Sequence, residues 1–253
     1  MNESHKYNLI YFHIPKCAGV SVRKAIEIDK STHPFPHKNV STALAIDVRY
    51  STNDDIYNSY HKFSIVRNPF ERMLSLYSFR KKQGDLYIHA NLFDSDVGPD
   101  GEVWDFNRWI KSPEMKGTTN EGLEAMCNDS YFNSYWAYKE KDTLLASSTH
   151  GQGYLGRSYL RSHLEFLNQV DFLSNPLTGG RLMTDTILRQ ENLNEEWDVM
   201  FKKLGHTPPK LPQRNKSKHK HYSHYYDDES VQLVSKIFNK DLKFFGYEFE
   251  DKR

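Results

Sequence analysis

Tyr7-Asn8-Leu9-Ile10-Tyr11-Phe12-His13-Ile14-Pro15-Lys16-Cys17-Ala18-Gly19-Val20-Ser21-Val22-Arg23-Lys24-Ala25-Ile26 is the stretch whose reading decides the fold. Its apolar, aromatic-rich opening reads as a strand buried on both faces. A short turn holding Pro15, Lys16 and Gly19 follows, and Ser21 to Ile26 reads as the first turns of a helix. Strand, tight turn and helix together make an anion-binding geometry: free N–H groups at the helix start and the positive end of its dipole converge on one spot. Lys16 adds a full charge there and Ser21 a hydroxyl. The ligand expected is a phosphate or a group of that shape. The loop of kinases and ATPases, G-x-x-x-x-G-K-[S/T], places its lysine after the second glycine with a magnesium-binding hydroxyl beside it. Here Lys16 precedes Gly19 and the turn is shorter, so a metal-nucleotide site fits poorly.

The chain has 253 residues, enough for one sizeable α/β domain, and we expect a single domain over 1–253. Hydrophobic residues make up 38% and aromatic residues 14%, which suffices for a core. A net charge of +1 argues against a nucleic-acid or membrane footprint spread over the whole molecule. Any positive potential must be local. Two cysteines, Cys17 and Cys127, cannot build a disulfide framework and suit a reducing compartment. Cys17 sits at a helix start, where a thiol pKa can fall, but it reads first as a small residue that fits the loop. No signal-peptide pattern opens the sequence, and no apolar run approaches the ~20 residues of a membrane span. A cytoplasmic location follows as an expectation.

The second organising stretch is Lys62-Phe63-Ser64-Ile65-Val66-Arg67-Asn68-Pro69-Phe70-Glu71-Arg72-Met73-Leu74-Ser75-Leu76-Tyr77-Ser78-Phe79. Phe63 to Val66 reads as another buried strand. Asn68 suits a helix cap, Pro69 the first helical position and Glu71 the acidic place of a capping box. Open parallel sheets bind ligands at the carboxyl ends of their strands. Arg67 and Lys16 are therefore expected on one rim.

His13 to Ser21 resembles the 5′-phosphosulfate loop of sulfotransferases, and most closely that of the carbohydrate sulfotransferases (sulfotransferase family 2), I-P-K-[T/C]-A-G-[T/V]-S. Val66 to Tyr77 resembles the same family's 3′-phosphate motif, V-R-N-P-[Y/F/W]-x-R-x-x-S-x-Y. The resemblance implies an α/β fold with a central parallel sheet flanked by helices, like that of P-loop NTPases. It implies that 3′-phosphoadenosine 5′-phosphosulfate (PAPS) is the donor and 3′,5′-ADP the product, with no metal required. Pro15, Lys16, Cys17, Ala18, Gly19, Val20 and Ser21 would hold the 5′-phosphosulfate. Arg67 and Ser75 would hold the 3′-phosphate, which agrees with the bidentate grip of a guanidinium on phosphate. Val20 departs from the Thr that many relatives carry, which removes one hydroxyl from that set. Eukaryotic relatives are commonly Golgi-anchored, so a trimmed catalytic domain is the alternative to a cytoplasmic enzyme.

Between the two motifs, Pro34 and Pro36 exclude helix, and Ser41 to Val48 reads as a short helix. His33 and His37 read first as surface loop histidines. His37-Lys38-Asn39-Val40-Ser41-Thr42-Ala43 resembles, with inserted residues, the family segment that carries a histidine, and this implies His37 as the catalytic base. Arg72 is expected to pair with a carboxylate on the helix surface.

The region 83–180 informs least. Gly98 to Gly101 is a turn, and Val103 to Ile110 reads as a helix packing through Phe106, Trp109 and Ile110. The aromatic run Tyr131 to Tyr138 fits either core or a sugar-binding groove. Arg157 and Arg161 fit either solvent or an anionic glycan. Thr184 to Leu188 then reads as a strand leading into Arg189-Gln190-Glu191-Asn192-Leu193, which resembles the family's R-x-E-N-L junction. There Arg189 either pairs with Glu191 or lies near the nucleotide. Asn194 is expected to cap a helix ended by Gly205. The basic run Pro208 to Tyr222 reads as a solvated loop or a nucleic-acid patch. Its Leu211 to Ser217 part resembles the L-P-x-x-N-x-S loop that closes over the nucleotide, which implies Lys216 and Ser217 near the phosphates. Asp227 or Asp228 caps a final helix with an apolar stripe from Val231 to Phe245.

The activity implied is sulfuryl transfer to a hydroxyl-bearing acceptor, a glycan foremost, with no nucleic-acid partner. The competing readings are a nucleotide-dependent kinase, and an anion- or nucleic-acid-binding module built on the 210–220 loop.

Overall fold

The computed structural model describes residues 3–28, 45–83, 105–111, 167–175, 178–212 and 220–253. His33, His37, the 98–101 turn, the 131–138 aromatics, Arg157, Arg161, Lys216 and Ser217 lie outside them. The molecule is mixed α/β, with a central, mostly parallel sheet flanked by helices. Two compact units are discontinuous along the chain: Met1–Arg72, Asn168–Lys220 and Lys240–Glu248 form one, and Met73–Leu167, His221–Asn239 and Phe249–Arg253 form the other.

The first unit holds a four-stranded sheet. β1 (Glu3–Ser4) pairs antiparallel with β2 (Leu9–Phe12), which runs parallel to β3 (His61–Val66). A short ladder, β4 (Ser174–Asn175) with β5 (Arg181–Leu182), stands apart, and β6 (Thr186–Arg189) completes the main sheet parallel to β3. The order is β1-β2-β3-β6. Leu9, Ile10 and Tyr11 expose nothing, as a strand covered on both faces should. Tyr11 stacks on Phe63 across the ladder, ring centroids 5.0 Å apart. The antiparallel β1 was not legible, because two residues joined by a turn with Asn8 at φ 53 carry no alternation to read.

Parallel pairing fixes where the connections emerge. Phe12 lies opposite Ser64 and Val66 opposite Arg189, so the segments after β2, β3 and β6 leave the same edge. After β2 comes α1 (Gly19–Ala25), two residues earlier than the sequence suggests, because Ala18 takes the left-handed conformation at the N-cap. α2 (Ala45–Ser51) runs three residues past the expected end at Val48, and α3 (Asp54–Ser59) follows, capped by Asn53. After β3 comes α4 (Pro69–Gln83), which begins in the first unit and continues into the second. Asn68 Oδ1 accepts from the Phe70 N–H at 3.1 Å, the cap expected of it.

In the second unit α5 (Phe106–Ile110) buries Phe106, Trp109 and Ile110 as expected. Tyr77 and Tyr226 flank Phe106 at centroid distances of 5.6 and 4.6 Å. Back in the first unit, α6 (Gln169–Leu173) precedes β4, and α7 (Leu193–Lys203) follows β6 through a 3-10 turn. Asn192, not Asn194, is the N-cap of α7, since the turn Gln190–Asn192 feeds directly into the helix. Gly205 ends it at φ 77. The expected single C-terminal helix is two: α8 (Asp228–Ile237), with a capping box between Asp227 and Ser230, and α9 (Asn239–Phe245). Among the described residues no helix is long and apolar enough to cross a membrane.

Candidate active site

The turn between β2 and α1 is built from two left-handed residues, Lys16 at φ 68 and Ala18 at φ 58. Non-glycine residues adopt this region at a steric cost, and they hold it where surrounding contacts enforce it. Here the enforcement is visible. Arg67 Nη1 donates to the Lys16 carbonyl at 3.2 Å, and Arg72 Nε donates to the Pro15 carbonyl at 3.1 Å. Two arginines of the second sequence motif therefore hold successive carbonyls of the first. The helix ladder begins with Ser21 and Val22, whose N–H groups both donate to the Ala18 carbonyl. Ala18 brings no side chain to cap the N–H groups before them.

Gly19 allows a close approach that any larger residue would have to displace. A Cβ built there would lie 1.8 Å from His13 Nε2, so the imidazole rests directly on the glycine. His13 was not singled out from the sequence, because nothing in H-I-P-K announces which way its ring turns. Cys17 is fully buried, and burial pushes its thiol up to about 12. Its side chain faces inward as a neutral donor, 3.3 Å from Gln169 Oε1 and 3.6 Å from the Pro15 carbonyl. Its burial and inward contacts fit the expectation of a small residue that fills the loop. Val20 is exposed at 52%, so the loop presents an apolar side chain there and no hydroxyl.

Arg67 lies at the end of β3 with 9% of its surface exposed. Glu71 sits one turn on, and Arg67 Nη2 pairs with its carboxylate at 3.0 Å. Glu71 therefore holds the arginine side chain, where a capping box had been expected. Arg67 Nε is buried and has no hydrogen-bond partner among the described residues. A buried donor without a partner is costly, and a ligand oxygen is one way to satisfy it. Ser75, half-buried, lies two turns along α4 in the second unit.

Arg72 is not on the helix surface. It exposes nothing, and its charge lies near enough to Cys17 and Asp241 to draw both of their pKa values down against burial. The expected surface pairing fails because the helix period puts residue 72 on the face that meets the loop. Among the described residues Arg189 does not pair with Glu191. Its guanidinium donates to the Phe245 carbonyl and lies 4.9 Å over the Tyr247 ring. Glu191 instead accepts from the Asn68 N–H at 2.6 Å and from the Tyr247 hydroxyl at 3.1 Å. The R-x-E-N-L junction thus braces the turn after β3.

Lys16 and Arg67 are brought together by these contacts. The described residues do not include His37, Lys216 or Ser217, and Ser75 belongs to the other unit. Charge and hydrogen-bonding capacity converge on the β2–α1 loop from two strand ends. Such an arrangement grips a dianion by direct pairing and by main-chain N–H groups.

A family model described as the sulfotransferase family matches residues 1–248. No curated protein matches the chain. No solved structure matches it either.

Proposed function

The chain belongs to the sulfotransferase family, and on that premise we propose that it moves a sulfuryl group from PAPS to an acceptor hydroxyl, a carbohydrate hydroxyl foremost, releasing 3′,5′-ADP. The observation that supports the reading most is the 3.2 Å contact between the Arg67 guanidinium and the Lys16 carbonyl, which joins a residue of each sequence stretch. The residues fit such a donor. Arg67 keeps a buried Nε–H with no partner among the described residues, and a left-handed pair shapes the loop beside it.

PAPS supplies an activated sulfuryl group on a phosphate leaving group. The protein's part is binding, orientation and charge. The Pro15 to Ser21 loop holds the 5′ end through main-chain N–H groups and the Ser21 hydroxyl. Lys16 places its ammonium where the leaving oxygen gathers charge. Arg67 and Ser75 grip the 3′-phosphate, which sets the register of the nucleotide, and Lys216 and Ser217 add donors from the loop after Pro212. His37 offers an imidazole nitrogen to take the acceptor's proton. A sulfuryl group carries less charge than a terminal phosphate, so lysine and main-chain donors suffice without a metal.

Calorimetric titration tests the donor. Binding of 3′,5′-ADP is expected to exceed that of 5′-ADP and of ATP by at least about tenfold, each tenfold being about 1.4 kcal/mol. Equal affinity for all three would remove the reading. The base is tested separately. His37→Ala is expected to bind 3′,5′-ADP normally while transfer of radiolabelled sulfate falls by about 10²- to 10⁴-fold. Transfer at the full rate would assign the proton to another group.

A further inference from the structure

The main-chain pairing of β3 continues one residue beyond the strand through a side chain. Gln169 Oε1 accepts from the Arg67 N–H at 2.9 Å, and Gln169 Nε2 donates to the Arg67 carbonyl at 2.8 Å. One amide thus clamps both main-chain groups of Arg67, as a neighbouring strand would. The same Oε1 accepts from the Cys17 thiol at 3.3 Å, so the amide also reaches the loop that contains Lys16.

Asp241 sets which way that amide points. Its Oδ2 accepts from Gln169 Nε2 at 3.1 Å and from the Gln169 N–H at 2.8 Å, and its Oδ1 accepts from the Val170 N–H at 3.0 Å. A carboxylate offers only acceptors, so the NH₂ of Gln169 must face it and the carbonyl oxygen must face Arg67 N–H and Cys17. Gln169 and Asp241 are both 0% exposed. Every donor and acceptor of the amide is used, which is the condition under which a buried polar group specifies one geometry.

The Arg67 guanidinium is held at its tip by the Lys16 carbonyl and Glu71 and at its root by the clamp on both main-chain groups, which leaves Nε without a partner among the described residues. The clamp at the root and the two contacts at the tip together set its aim. Resting on the donor reading above, we propose that Gln169, oriented by Asp241, is a positioning residue for recognition of the 3′-phosphate. It fixes the root of Arg67 and ties that root to the Lys16 loop through Cys17. The assignment adds two residues, from the middle and the end of the chain, to a site otherwise drawn from its first third.

The test is a double-mutant cycle read by calorimetry. Gln169→Met keeps length and volume but removes the amide. It is expected to weaken 3′,5′-ADP binding by about tenfold, the effect of losing buried hydrogen bonds to a ligand-holding group. Binding of AMP, which lacks the 3′-phosphate, should weaken much less. In an Arg67→Ala background the same substitution should change 3′,5′-ADP affinity no further, because the group it aims is gone. Equal losses for the two nucleotides, or a full loss added to that of Arg67→Ala, would show general packing and overturn the assignment. If Gln169→Met does not fold, Asp241→Asn is carried through the same cycle with the same signature expected. A wild-type protein with no preference for 3′,5′-ADP over AMP would instead overturn the donor reading itself.

Discussion

Arg67→Ala is expected to weaken 3′,5′-ADP binding by about 30- to 150-fold, roughly 2–3 kcal/mol, while changing the melting temperature little. The two halves of that result have separate causes. The affinity loss follows from removing a charged, planar donor set whose Nε has no partner within the described protein and whose Nη1 already touches the Lys16 carbonyl. A phosphate placed there would meet charge-assisted bonds in surroundings that exclude much of the water. The small effect on stability follows from what is left behind, since Arg72 still holds the Pro15 carbonyl of the same loop. Glu71, the carboxylate freed by the change, has a side chain 29% exposed and can be solvated. Arg67→Lys should recover only a small part of the affinity, because an ammonium cannot reach two directions in one plane. Calorimetry with 3′,5′-ADP and thermal melting of the same samples decide the matter. Unchanged affinity in Arg67→Ala would take this residue out of the phosphate site.

The parts of this arrangement that were legible in the sequence are those written in local chemistry. A doubly buried apolar run, a turn with Pro15 and Gly19, and an Asn-Pro helix start each carry their meaning within a few residues. So do Asp227, which starts a helix, and Gly205, which ends one, as expected. What failed was the partner of each long side chain. Proximity in sequence suggests a surface carboxylate for Arg72 and, as one of two readings, Glu191 for Arg189, yet both donate to main-chain carbonyls reached only through the fold. Gln169 and Asp241 gave no signal. The first lies in a stretch that matches no motif, and the second falls between stripe positions of what read as a continuous C-terminal helix. That helix is broken at Phe238, whose N–H still closes onto Val234, so the apolar spacing runs through the break without marking it. Partners 72 to 152 residues apart, as Gln169 is from Asp241 and Cys17, leave no local pattern.

The same buried cluster sets the largest expected stability effect. Arg72→Met fills a similar volume but deletes a guanidinium that exposes no surface and that holds the Pro15 carbonyl. Removing one charge from a buried polar group costs about 3–5 kcal/mol when the remaining charge stays unpaired. Here the charge left is Asp241, whose carboxyl is pushed up to about 6 by burial, against the pull of three N–H bonds and of Arg72 itself. Without Arg72 that pKa rises further. A carboxyl whose folded value lies above its unfolded value stabilises the fold most when protonated in both states. That contribution is lost as pH rises through the folded value. The deficit of Arg72→Met against the wild type should therefore be smaller at pH 5 than at pH 7.5, in the window where Asp241 ionises. Urea denaturation at the two pH values, at fixed ionic strength, reads the difference directly. A deficit that is constant across the window would mean that Arg72 supports the loop through the Pro15 carbonyl alone. Its proximity to Asp241 would then contribute nothing to folding.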